Sequence, residues 1–161
     1  MTTRHGALRP ARRHEPGLPA TCTTSGVGRL TASINALQGP QARRSTLSQA
    51  LGEATADVNH QVGGTSGPPG AAARGFGGGC VALALGGRFD RQAVDDLDLL
   101  LRGLRPLATR HLVVDLNGLG AHHPRLGRVL GRVRIRCLID GVALDLAHLP
   151  PDLAEEFDLP T

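Results

Sequence analysis

The chain has no tryptophan, no tyrosine and no lysine, and phenylalanine only at Phe76, Phe89 and Phe157. No aromatic residue is placed for bases to stack on, so the single-strand readers built on such platforms are excluded. The missing lysine makes all 18 basic residues arginine. Together with the many Gly and Ala residues, this points to a codon-biased, GC-rich genome and lowers the meaning of any one arginine. No apolar run approaches the ~20 residues of a membrane span, and the N-terminus has no apolar signal-peptide core. No serine follows Ser66, so the second half of the chain cannot hold a Ser-His-Asp set. Gly-Lys-Ser/Thr, Cys-x-x-Cys and His-x-x-x-His are all absent, and Gly118-Leu119-Gly120 lacks the third glycine of a dinucleotide loop. The three cysteines are an odd number without framework spacing. Cys80 and Cys137 lie in apolar runs, as small buried hydrophobes do. Nothing calls for an oxidising compartment, and the expected location is the cytoplasm.

What is present divides near Phe76. Before it stand eight arginines and three acids, Glu15, Glu53 and Asp57; from Phe76 onward stand ten arginines and eleven acids. The net charge of +4 therefore belongs to the first half. Residues 1–24 carry Arg, Pro, Thr and Gly without apolar pattern and read as disordered. Two short helical patterns follow, at 26–38 and 46–58, the second behind a Thr46–Gln49 capping box. Helices this short are marginal alone. Residues 63–79 are Gly, Pro, Ser and Ala and read as a flexible linker.

The second half is regular. Apolar runs at 80–85, 111–116 and 142–147 recur at the spacing of βα units. Between the first two, Asp90 is a candidate N-cap for a helix with Val94, Leu97, Leu101 and Leu104 on one face. Between the second two, Leu126, Val129, Leu130, Val133 and Cys137 share a helical face that ends near Gly141. A short third helix starts at Pro151. Parallel strands need such crossovers. The expected fold is a small α/β layer fold with a mostly parallel sheet over residues 78–161, after a tail and linker over 1–77. No strand is evident in the Gly-rich stretch before Cys80.

The central stretch, Val113-Val114-Asp115-Leu116-Asn117-Gly118-Leu119 with Leu126-Gly127-Arg128-Val129-Leu130-Gly131-Arg132 behind it, resembles the STAS domain of anti-sigma factor antagonists. Upstream, Val81 to Asp90 resembles that family's strand ending in Gly-x-Leu-Asp. Downstream, Gly141-Val142-Ala143-Leu144-Asp145-Leu146 resembles its Gly-Gly-x-Leu-x-Leu strand. The resemblance covers roughly residues 78–159, and STAS domains continue into a further strand and helix, so it implies a domain trimmed at both ends. It also implies a non-enzymatic module that binds a regulatory protein, an anti-sigma factor or similar kinase-type partner. In that family a Ser in the loop after the Asp-Leu strand is phosphorylated to break the complex. The corresponding loop here, Gly120-Ala121-His122-His123-Pro124-Arg125, has no hydroxyl, so no phospho-acceptor is expected.

The candidate partner-binding residues are Asp115, Asn117, Gly118, His122, His123, Arg125, Arg128 and Arg132. With Arg136, the last three form a stripe at spacings of three, four and four on the helix. Such a stripe is a surface for an acidic partner or for nucleic acid phosphates, or else an ordinary solvated face in an Arg-biased chain. Neighbouring His122 and His123 point apart, so no metal site is expected, and no cofactor or enzyme activity. The alternative function is a nucleic-acid-binding accessory protein using the Arg-rich N-terminal tail.

Overall fold

A computed structural model describes residues 30–35 and 46–157. The disorder expected for residues 1–24 lies outside them, as does most of the pattern at 26–38. In chain order the elements are β1 (Thr31–Asn35), α1 (Leu47–Val62), β2 (Gly70–Gly77), β3 (Cys80–Phe89), α2 (Arg91–Leu104), β4 (His111–His122), α3 (Arg125–Asp140), β5 (Ala143–Ala147) and α4 (Pro151–Phe157). The five strands form one sheet in the order β1-β2-β3-β4-β5. All neighbours are parallel except β2 and β3, which are antiparallel. The fold is the expected α/β class with a mostly parallel sheet.

Local chemistry accounts for the helix ends. The Asp90 carboxylate accepts the Ala93 N–H at 2.8 Å, and the Thr46 hydroxyl accepts the Gln49 N–H at 3.2 Å. The capping box at Thr46 is only half made, because the Gln49 amide donates instead to Glu53. Helix α3 ends in a Schellman turn: Gly141 sits at φ 70°, Val142 N–H reaches Cys137 O at 2.8 Å, and Gly141 N–H reaches Leu138 O.

Strand alternation divides the core between the two sheet faces. Ala71, Ala73, Leu83, Leu85, Leu112, Val114 and Leu116 belong to one apolar cluster with the buried sides of α2 and α3 and Leu153 of α4. Ala72 and Ala84, partners in register, face Ala54, Val58 and Val62 of α1 in a second cluster. No described helix is long and apolar enough to cross a membrane.

Three expectations upstream of Cys80 are corrected. The supposed linker contains strand β2, and Gly77, Gly78 and Gly79, all at positive φ, form the hairpin into β3. Composition hid the strand because its residues are small; that smallness lets α1 lie close. A Cβ on Gly70 would come within 2.3 Å of Val62 Cγ1. The helical pattern at 26–38 contains β1, paired parallel with β2, so sheet pairing overrode a weak helical period. The pattern at 46–58 is a helix, but it extends to Val62 and docks on the sheet. Burial of Ala50, Ala54, Val58 and Val62 supplies the stability that so short a helix lacks alone. The folded unit thus includes elements upstream of residue 78.

Two outcomes follow. A chain starting at residue 78 would lose α1 and β2, expose Ala84 and leave β3 as a bare edge. It should show no cooperative thermal transition, whereas a chain starting at residue 28 should melt like the full protein. Val114, fully buried between Leu83 and Leu146 in register, should not accept a charge. Val114→Asp should abolish folding as followed by circular dichroism, since an unpaired buried carboxylate costs several kcal/mol, about as much as a small domain's whole stability.

Candidate partner-binding surface

Strand β4 outruns its neighbours and carries two register shifts against β3. Asp115 pairs with Ala84, but Gly118 already pairs with Gly86, so β4 holds one extra residue there. Such a bulge re-aims the side chains beyond it. Asn117 emerges exposed, while Gly118 presses on β3; a Cβ there would lie 2.9 Å from the Leu85 carbonyl.

Asp115 does not belong to an open surface. It is 4% exposed and points to the α1 side of the sheet. Its Oδ2 accepts from the Thr55 hydroxyl at 3.1 Å, and its Oδ1 accepts the Asn117 N–H at 3.0 Å. His148 Nδ1 also lies 2.8 Å from Oδ1. His148 is exposed and sits at φ 54°, a left-handed conformation unusual outside glycine. The carboxylate therefore joins α1, β4 and the segment after β5, and holds His148 in that conformation. Its expected place on the partner-binding surface gives way to this internal role.

The two loop histidines are occupied as well. His122 Nε2 lies 3.1 Å from Asp152 of α4. His123 Nδ1 accepts the Arg125 N–H at 3.2 Å, which caps α3 where Pro124 supplies no side-chain cap. In a neutral His123 this places the proton on Nε2. Among the described residues no group of three or more His, Cys, Asp or Glu is arranged to hold a metal.

The arginine stripe divides. Arg125 pairs with Asp95 at 3.1 Å and Arg132 with Asp98 at 3.6 Å, both across to α2. Arg128 is exposed and has no ion pair or hydrogen bond among the described residues. Two to three turns further along, α3 exposes three large apolar side chains: Ile135 at 47%, Leu138 at 80% and Ile139 at 68%. These lie off the face that sequence reading assigned to the core, and that mismatch was the signal available for them. His148 and Thr55 had no comparable signal, since their meaning depends on Asp115 lying between them. Asn117, Pro124, Arg128, Arg132 and the apolar trio remain exposed.

No family model matches the chain, and no curated protein matches it. One solved structure, described as "Crystal Structure Analysis of Mglu", is similar over 46% of this chain and 18% of that one, with 23% identity and a TM-score of 0.39. A likeness that partial carries no argument about this chain.

The Asp115 network has a measurable strength. Asp115→Ala should destabilise the protein by about 2 kcal/mol in urea unfolding, because it strips partners from a half-buried hydroxyl and an amide. Thr55→Val should cost about 1 kcal/mol, and the double variant should cost less than the sum. Strict additivity would mean that the two side chains do not interact.

Proposed function

We propose that the chain is a non-enzymatic, STAS-like protein-binding module of a bacterial regulatory system, similar in role to an anti-sigma factor antagonist. The observation that carries this reading is the outer side of α3. It carries an unpaired Arg128 and, two to three turns further along, exposed Ile135, Leu138 and Ile139. An apolar centre with a charged rim is the composition of a protein interface, and a solvated helix face has no use for three such side chains. The loop 117–125 adjoins the start of α3 and would form the rest of the contact. A cytoplasmic location goes with this reading.

The proposed partner is a kinase-type anti-sigma factor, with an acidic patch facing Arg128. The loop carries no hydroxyl, so the partner could not release the module by serine phosphorylation. Binding would be constitutive and set by the amounts of the two proteins.

The test uses the full chain and immobilised anti-sigma-factor kinase domains. Binding should weaken with salt as the Arg128 attraction is screened. Arg128→Glu should slow association several-fold, and Leu138→Glu should speed dissociation by about ten-fold, both without lowering the melting temperature. With ATP present, residues 111–140 should take up no phosphate. Absence of binding, or binding indifferent to both variants, would overturn the reading. Phosphohistidine at His122 or His123 would overturn its constitutive character.

A further inference from the structure

Between the C-terminal parts of α2 and α3, on the α2 side of the helix and away from Leu138, lies a cavity of about 330 Å³. Its floor is apolar, made by Leu101, Ala108, Leu112, Val133 and Cys137. Its charged lining is Arg102, Arg105, Arg132 and Arg136 with a single carboxylate, Asp98. Asp98 answers both Arg102 and Arg132, and Asp140 answers Arg105 at 2.8 Å. Arg136 has no ion pair or hydrogen bond among the described residues. The result is an apolar floor under an excess of guanidinium groups.

We propose that this cavity binds a small amphipathic anion, an aliphatic carboxylate whose chain lies on the floor and whose head meets Arg136 and its neighbours. The size falls at the lower end of the ~300–1,000 Å³ range of pockets that enclose small organic ligands. Both halves of the lining are needed to define the class. Inorganic phosphate would satisfy the guanidinium groups but leave Leu112 and Val133 against water. A neutral alcohol would cover the floor but leave Arg136 without a counter-charge. Arginine forks match carboxylate geometry, which favours that head group.

The site contains its own reporter. Cys137 is 1% exposed, and burial pushes its thiol up from the ordinary value, with Asp140 adding to the effect and Arg105 opposing it. The thiol is therefore protonated at neutral pH and slow to alkylate. An aliphatic chain on the floor should slow it further.

The experiment titrates the full chain with decanoate, below the concentration at which decanoate aggregates, and compares decanol and inorganic phosphate. Decanoate should bind saturably at one site and protect Cys137 from iodoacetamide, read by site-resolved mass spectrometry. Decanol and phosphate should each bind at least ten-fold more weakly. Arg136→Gln should weaken decanoate about ten-fold, the loss expected for one charged hydrogen bond. Val133→Phe should fill the cavity and abolish binding; if that variant does not fold, Arg136→Gln alone decides. The proposal is overturned if decanoate does not saturate, if decanol binds equally well, or if Arg136→Gln binds decanoate like the parent. Leu138→Glu lies outside the cavity and should leave decanoate binding unchanged, so this result is independent of partner binding.

Discussion

The reversal of strand direction at the glycine hairpin between β2 and β3 determines how the two faces of the sheet are covered. Crossovers between parallel strands are right-handed. Both β1-α1-β2 and β3-α2-β4 step the same way across the sheet. Had all strands been parallel, the same hand would have put α1 on the same face as α2. Because the hairpin turns the chain round, α1 is delivered to the opposite face, where Ala72 and Ala84 receive it. Three successive residues at positive φ make that turn, and only glycine adopts such a run at little cost.

Among the described residues, coverage of that second face is incomplete, and the polar features follow from this. Helix α1 shelters β2 and β3 but reaches only the near side of β4. On β4, Asp115 stands at the margin of the shelter, close enough to Thr55 to be buried and close enough to the open side to meet His148. Farther out, His111 meets Asp145 at 2.7 Å across β4 and β5, with Asp145 exposed. The other face has no such gradient, since α2, α3 and α4 lie against it. Arginines on α3 that read as a single stripe are sorted by the same geometry. Arg125 and Arg132 find the acids of α2, whereas Arg128 and Arg136 have no ion pair among the described residues.

The fold after Cys80 was legible because each signal there is local. A β-branched run, an Asp cap, a 3.6-residue apolar period and a terminal glycine each act within a few residues. Upstream, the decisive interactions are between segments far apart in the chain. Ala71, Ala72 and Ala73 make a strand only because β1, β3 and two helical layers surround them. The candidate site divides in the same way. Exposure of Asn117 and Arg128 could be read from spacing, whereas burial of Asp115 required knowing that α1 docks above it. The exposed Ile135, Leu138 and Ile139 were visible as apolar residues off the helical face, but the wrong side of a helix has meaning only once the right side is known.

Helix α1 rests on the sheet through alanine, glycine and valine, tied by the Thr55–Asp115 and Gln61–Ser33 hydrogen bonds and by half-buried ion pairs from Arg74 to Asp57 and Glu53. Small side chains give up little apolar area when they part. The two faces of the molecule therefore differ in how readily they open. A transient lift of α1 would cost far less than separating α2 and α3 from the sheet, and would form its own cooperative unit. During that lift Asp115 would lose Thr55 and meet water, and His148 would lose the restraint that holds it left-handed. The buried carboxylate is thus reachable by solvent on the timescale of a partial unfolding, while the cluster beneath it stays closed.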